Sequence, residues 1–251
     1  MTEKLYGLIG FPLSHSFSQK YFRNKFEKEN IFNADYLNFE IENINKLPEI
    51  IYNHKNLYGF NVTIPYKIEI LNFLDEIDIT AKEIGAVNTV KIFRNESVVK
   101  LKGYNTDVYG FNESLKNKLL NHHKNALVLG TGGVSKAIVF ALKKLNFSVT
   151  IVSRNKSKLE NTLRYENLTQ EIIEKNTLIV NATPQGMFPD IKNMPQIPYK
   201  YLNNKHILYD LVYNPPLSKF LEEGKKHNAT IINGQKMLEF QAEKAWELFN
   251  L

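Results

Sequence analysis

Asn125-Ala-Leu-Val-Leu-Gly-Thr-Gly-Gly-Val-Ser-Lys136 reads as a strand, a glycine turn and a helix in immediate succession. The apolar run Ala126 to Leu129 has the length of a buried strand and ends in Gly130-Thr131-Gly132-Gly133. A helix-compatible segment, Val134 to Leu145, starts at once. Glycines have no Cβ, so they permit the tight turn and let a pyrophosphate approach the backbone. The helix start offers unpaired N–H groups and a positive dipole end. The spacing departs from a full G-x-G-x-x-G: Gly133 directly follows Gly132, and Ser135 stands in the third-glycine slot. Taken alone, the stretch is weak evidence, because glycines can also merely turn a strand into a helix.

Its neighbour in sequence narrows the choice. Phe147 to Val152 reads as a second buried strand ending at Ser153-Arg154-Asn155. In dinucleotide folds an acid at this strand end accepts from the ribose 2′-hydroxyl, whereas an Arg accommodates a 2′-phosphate. Arg154 is present and the acid is absent, with Lys156 and Lys158 close behind. The expected cofactor is therefore NADP rather than NAD. Lys156 reads as a solvated charge at a helix start.

Composition sets the outer limits. The chain has 251 residues, enough for one large domain or two modest ones. A hydrophobic content of 43%, with 16 Phe and 13 Tyr, is that of a globular protein and excludes a disordered one. Cysteine is absent, which removes disulfides, thiolate metal sites and cysteine nucleophiles; the histidines are scattered, so no metal is expected. The start of the chain lacks a signal-peptide pattern and no stretch has membrane-spanning length, so the expectation is a cytoplasmic protein without a membrane partner. The net charge of +6 is spread along the chain without aromatic interleaving, which argues against nucleic acid and suits anionic small molecules.

Strand and helix patterns alternate throughout. Before the glycine loop, Leu5 to Ile9, Ala34 to Phe39 and Gly59 to Thr63 read as strands. Helices are expected from Gln19 to Asn30, from Ile44 to Tyr52, and from Pro65 to about Leu74, where proline suits a first turn. Thr80 starts a short helix ended by Gly85, and Ala86 to Arg94 pairs with Val98 to Tyr104 around Asn95-Glu96. A helix runs from Asp107 towards the glycine-loop strand, and a weak one lies around Lys158 to Leu163. Thr177 to Asn181, His206 to Asp210 and Thr230 to Ile232 are strands, and Pro216 to His227 and Lys236 to Leu251 are helices. The fold class is α/β with mainly parallel sheets in both halves. Residues 126 to 232 suffice for a doubly wound domain, so the first 105 or so form a separate α/β unit.

Ligands of open α/β sheets bind at the carboxyl ends of strands, which directs attention to particular turns. Ser14-His15-Ser16 follows the first strand; its hydroxyls can grip a polyol or carboxylate, or Ser16 or Ser18 can simply cap the next helix. Thr63 and Lys67 follow the third strand and could be a cap and a surface charge. Asn88 interrupts an apolar strand and needs a partner if buried. Asp107, in Asn105-Thr-Asp107, stands at the domain junction, where it could merely favour a helix dipole.

Six stretches occur in order: Pro12-Leu-Ser-His-Ser16, Asn61-Val-Thr-Ile-Pro-Tyr-Lys67, Gly85-Ala-Val-Asn-Thr89, Gly103-Tyr-Asn-Thr-Asp107, Asn181-Ala-Thr-Pro-Gln-Gly-Met187 and Asp210-Leu-Val-Tyr-Asn-Pro215. Together they closely resemble the shikimate dehydrogenase family over nearly the whole chain. The resemblance implies two domains: an N-terminal α/β substrate-binding catalytic domain, 1–105 completed by 235–251, and a doubly wound Rossmann NADP-binding domain, 106–234, facing it across a cleft. It implies reversible NADPH-linked reduction of 3-dehydroshikimate to shikimate in aromatic amino-acid biosynthesis. Lys67 and Asp107 match the family's catalytic pair. Ser14, Ser16, Thr63, Asn88, Asp107, Tyr213 and Gln241 match substrate positions. Gly130, Thr131, Gly132, Gly133, Val134, Ser153, Arg154, Asn155 and Lys158 match cofactor positions, and Leu211 and Gly234 match positions near the nicotinamide. Thr131 and Val134 replace usual alanines, Ser153 a usual Asn and Asn155 a usual Thr.

The residue types suit that chemistry. The cofactor carries the hydride, and the protein must orient two rings and handle a proton. A Lys with an Asp can hold or share one. Whether Lys67 is the acid/base or stabilises an alkoxide stays open, as does oligomeric state, a homodimer included. Two other readings stand beside this one: a quinate/shikimate dehydrogenase using NAD or NADP, and a dinucleotide-sensing protein without catalysis. An acid at the end of the second strand would favour the first, and loss of Lys67 or Asp107 the second; neither is found.

Overall fold

The computed structural model describes residues 3–14, 16–95, 98–154 and 161–251. It divides into two compact units, Met1–Thr106 with Ala242–Leu251, and Asp107–Gln241. No helix among the described residues is long and apolar enough to cross a membrane.

The first unit contains β1 (Lys4–Gly10), α1 (Phe17–Lys28), β2 (Ala34–Glu40), α2 (Leu47–Asn53), β3 (Leu57–Val62), β4 (Glu76–Ile77), α3 (Ile79–Ile84), β5 (Thr89–Arg94) and β6 (Val99–Tyr104). Its six strands lie in the order β2-β1-β3-β5-β6-β4. Along β1 the side chains alternate between two cores, as a period of two requires. Leu5 and Ile9 join Leu57, Phe60 and Val90 on one face; Tyr6 and Leu8 join Phe22, Phe26 and Tyr36 on the other. Asp78 caps α3, accepting from Thr80 N at 3.0 Å, and Gly85 ends the helix at φ 68°, a conformation suited to glycine.

The sheet is mixed, with three parallel pairings, β1–β2, β1–β3 and β4–β6, and two antiparallel ones, β3–β5 and β5–β6. One expectation for this unit is corrected. The segment after Pro65 is not an α-helix; turns lead into a short 3₁₀ segment, Glu69–Phe73. The Lys67 carbonyl accepts from Val87 N at 2.8 Å, so the loop before β5 takes an acceptor that an α-helix would have used.

The second unit contains α4 (Asp107–Leu115), β7 (Asn125–Leu129), α5 (Gly133–Lys144), β8 (Ser148–Ser153), β9 (Thr162–Arg164), α6 (Gln170–Lys175), β10 (Leu178–Asn181), β11 (Ile207–Asp210), α7 (Lys219–Lys226) and β12 (Thr230–Ile232). All six strands are parallel, in the order β12-β11-β10-β7-β8-β9. Read from β9, this is the 3-2-1-4-5-6 order of a doubly wound dinucleotide fold, which reverses direction between β7 and β10. In β7, Ala126 and Val128 face one core while Leu127 and Leu129 face the other. Helix α5 buries Ala137, Ile138, Ala141 and Leu142, the spacing of one helical face. The weak helix expected around Lys158 to Leu163 is corrected in part: Thr162–Arg164 is an edge strand, and 158–160 lie outside the described residues.

The last helix, α8 (Gln235–Phe249), contributes to each unit. Met237 packs in the core of the second, and Ala242, Ala245 and Phe249 in that of the first. Within the second unit, α8 passes very close to α4 at Gly110. A Cβ there would lie 2.5 Å from the Met237 carbonyl oxygen and 3.0 Å from Gln241 Cβ. Gly110→Ala is therefore expected to lower stability by a net ~1–2 kcal/mol in urea unfolding, because overpacking outweighs the ~1 kcal/mol helix-propensity gain. Unchanged or higher stability would show that α8 yields at this crossing.

Candidate active site

In the first unit, the residues singled out from the sequence gather along one edge of the sheet. Ser14 and Ser16 follow β1, Thr63 and Lys67 follow β3, Asn88 precedes the antiparallel β5, and Asn105 and Thr106 follow β6. Ser16 is the residue before α1, yet its side chain makes no capping bond. Its Oγ is buried without a hydrogen-bond partner among the described residues. The helix-cap reading of Ser16 thus loses its support. Ser18 turns instead to the Tyr36 hydroxyl.

Asn88 is 2% exposed and fully engaged. Its Oδ1 accepts from Thr106 N at 2.7 Å and from Thr89 Oγ1 at 3.1 Å, and its Nδ2 donates to Thr106 Oγ1 at 3.0 Å. The network continues across the sheet. Asn61 Nδ2 donates to Thr89 Oγ1 at 3.0 Å, and Asn61 Oδ1 accepts from Tyr36 OH at 2.9 Å. Burial pushes the Tyr36 hydroxyl well above its usual range, which keeps it a donor here. Asn61 and Thr106 were not singled out from the sequence as ligands; a polar residue inside an apolar strand was the available signal for Asn61. The same network fixes Thr106, the residue before Asp107. His15 lies outside the described residues.

In the second unit, the glycine turn sits where β7 ends beside β8. Gly130 adopts φ +110°, and a Cβ there would crowd the Ala182 oxygen at 3.1 Å, so the fold itself demands glycine. Ser135 accounts for the irregular motif: its hydroxyl donates to the Gly130 carbonyl at 2.6 Å and closes the turn. Gly132 differs. A Cβ there meets none of the described residues within 4 Å, and its φ of −72° suits any residue. The fold does not need a glycine at this exposed point before the α5 N–H groups. A ligand approaching the backbone would, and a pyrophosphate fits that space and charge.

Ser153 ends β8, and the exposed Arg154 follows it. No described carboxylate pairs with Arg154. Thr131 is exposed and Val134 half-buried in the first turn of α5. Asn155 and Lys158 lie outside the described residues. On the other half of the sheet, Gly234 N donates to Val212 O at 3.2 Å, and a Cβ on Gly234 would lie only 2.1 Å from the Leu211 carbonyl oxygen. This backbone approach joins the ends of β11 and β12. Tyr213 is half-buried, which pushes its hydroxyl up from its ordinary pKa. Asp107 (4% exposed) opens α4, and Gln241 (7%) lies on α8 at the Gly110 crossing, so the two come from a closely packed helix pair.

Comparison with known proteins now decides the family. Residues 8–90 match the model of the shikimate dehydrogenase substrate binding domain. The shikimate dehydrogenase (NADP(+)) of Methanococcus vannielii is 42% identical over 98% of this chain and 90% of its own length. The chain belongs to the shikimate dehydrogenase family. Among solved structures, the shikimate dehydrogenase of Aquifex aeolicus superposes with a TM-score of 0.85 at 38% identity, covering 99% of this chain and 92% of that one. A shikimate dehydrogenase solved with NADP+ gives a TM-score of 0.80 at 34% identity, covering 99% and 91%. Family membership and the open space at Gly132 lead to one expectation. Gly132→Ala should lower stability by no more than about 1 kcal/mol, the scale of placing alanine at the N-cap of α5. NADP binding by fluorescence titration should weaken about tenfold or more, the loss of a close approach to a charged ligand. Unchanged affinity would remove the pyrophosphate from this turn.

Proposed function

We propose that the chain catalyses the reversible NADPH-linked reduction of 3-dehydroshikimate to shikimate; near-full-length relatives are named shikimate dehydrogenase (NADP(+)). That likeness carries the reading, and the polar edge of the first unit supports it. When bound, NADPH supplies the hydride. Gly130 to Val134 hold the pyrophosphate, and Ser153 and Arg154, with Asn155 and Lys158, take the 2′-phosphate end. Leu211 and Gly234 border the nicotinamide. Ser14 and Ser16 donate to the substrate carboxylate, while Thr63, Asn88, Tyr213 and Gln241 bind its remaining polar groups. Lys67 and Asp107 act as the catalytic pair. In the reductive direction Lys67 supplies the proton that the new C3 hydroxyl requires. The reading keeps a cytoplasmic setting and small-molecule partners.

Change in nicotinamide absorbance with shikimate or quinate, each paired with NADP or NAD, tests the assignment. Shikimate with NADP should be the best pair. No turnover there would sink the proposal, and equal turnover of quinate with NAD would favour the broader dehydrogenase. Lys67→Ala should reduce kcat by about 10²–10⁴, the usual weight of general acid–base catalysis, while shikimate still binds. Near-normal turnover would remove Lys67 from the proton step. Arg154→Ala should raise KM for NADP about tenfold or more, through loss of a charge-assisted phosphate contact, with little effect on NAD. Equal effects on both cofactors would refute the phosphate role.

A further inference from the structure

The most thoroughly buried polar side chains among the described residues of the second unit lie at and after the ends of β10 and β11, and none of them has been given a role above. Asn181, Asp210 and Ser218 are each 0% exposed. Asp210 Oδ1 accepts from Asn181 Nδ2 at 2.9 Å and from Val212 N at 3.0 Å, and its other oxygen accepts from the Ser218 hydroxyl. Ser218 in turn caps α7, accepting from Leu221 N at 3.4 Å. Asn181 Oδ1 accepts from Thr183 N at 3.1 Å and Thr183 Oγ1 at 2.6 Å, and Gln185 N donates to Thr183 Oγ1 at 3.3 Å. A single carboxylate thus stands at the centre of a chain that fixes the loop after β10, the loop after β11 and the start of α7.

Both loops lead to the dinucleotide crevice. Ala182 and Thr183 are the atoms that crowd Gly130, and the Leu211 carbonyl is the one that meets Gly234. Strands β10 to β12 form the second mononucleotide half of a doubly wound sheet, the half that takes the nicotinamide nucleotide when the glycine strand takes the adenosine.

We propose that Asp210 is a positioning residue that holds the loops after β10 and β11 in the arrangement that seats the nicotinamide half of NADP. The inference rests on the NADP reading above. Chemistry favours a carboxylate at this point: every group facing it is a donor, and a carboxylate only accepts. Burial pushes the Asp210 carboxyl up, the bonds from Ser218, Val212 and Asn181 pull it down, and the balance lies at about 6. The ionised form therefore predominates at neutral pH. The neighbouring Tyr199 hydroxyl is pushed up by its own burial and next by the Asp210 charge, so it stays neutral and does not compete. An amide at 210 would keep two of the accepted bonds and reverse the third, since the Ser218 hydroxyl can accept as well as donate.

The test uses the full chain and two ligands: NADPH, which spans both halves of the crevice, and adenosine 2′,5′-bisphosphate, which fills only the adenosine half. In Asp210→Ala the dissociation constant of NADPH should rise, or kcat fall, by about tenfold to a hundredfold, the scale of a lost bond to a charged group. Bisphosphate affinity and KM for shikimate should stay within about twofold, and Asp210→Asn should recover part of the loss. Equal weakening of both nucleotides would show a general structural role and overturn the proposal, as would wild-type behaviour. If Asp210→Ala does not fold, Asp210→Asn and Ser218→Ala carry the same comparison, with the same two outcomes decisive. A wild-type chain that binds neither nucleotide would overturn the cofactor reading itself, and this inference with it.

Discussion

Strands in these sheets stop where the ladder stops, and the backbone groups beyond that point still need partners. Buried donors and acceptors are almost always paired, because leaving one unmade costs about 1–3 kcal/mol. In both units a buried Asn or Asp at the sheet edge meets this demand. Asn88 accepts from Thr106 N, Asn181 from Thr183 N and Asp210 from Val212 N. In the last two the side chain accepts from the backbone two residues on, the local turn that Asn and Asp favour. Such a side chain does two things together: it ends the strand and it sets the direction of the loop that follows. Since ligands bind where strands end, the groups that satisfy the fold are also the groups that aim the site.

Glycine marks the complementary constraint, where backbone must approach backbone. The approaches at Gly110 and Gly234 are so close that a Cβ would sit inside a carbonyl's contact radius. Gly110 has no part in the proposed chemistry, whereas Gly234 borders the proposed nicotinamide site. Gly110 draws α8 against the helix that opens with Asp107, and Gly234 ties the end of β12 to the carbonyl beside Asp210. Gly132 is the exception, and its open surroundings make it informative. A glycine required by packing says little about function, whereas one that packing does not require points to a ligand.

The elements legible in the sequence are those fixed by local chemistry. The strand, glycine turn and helix from Asn125 to Lys144 were readable because apolar period and glycine content act within a few residues. What stayed hidden depended on distant partners. The antiparallel pairing of β3 with β5 is a matter of topology, not of either strand's composition. Pro65 promised a helix, but the Lys67 carbonyl is taken by Val87, twenty residues on. Strand β9 is three residues long and carries no usable period. At the site, Ser16 was readable as a candidate but not as a choice between cap and ligand; only its unpartnered, buried Oγ separates these. Asn181 and Asp210 stood in quoted motifs, yet their joint role needs two strand ends, 29 residues apart in sequence, to lie side by side.

On the proposed reading the two edges meet different recognition problems with different residue types. The first unit offers neutral amides and hydroxyls, Asn61, Asn88, Thr89 and Thr106, already bonded to one another. Such a surface suits a substrate of several hydroxyls. An analogue that lacks one leaves a buried partner unpaired, and sites built this way discriminate far more strongly than apolar pockets that sense a methylene. The second unit offers backbone N–H groups at a helix start and the guanidinium of Arg154, which suit phosphate. Here the cofactor's charge supplies most of the attraction, and the backbone supplies its geometry. On that reading substrate selection belongs to side chains held rigid by their own network, and cofactor selection to Arg154 together with Lys158. The second is the easier to alter without disturbing the fold, because Arg154 is bonded to no described carboxylate while Asn88 is bonded into the sheet.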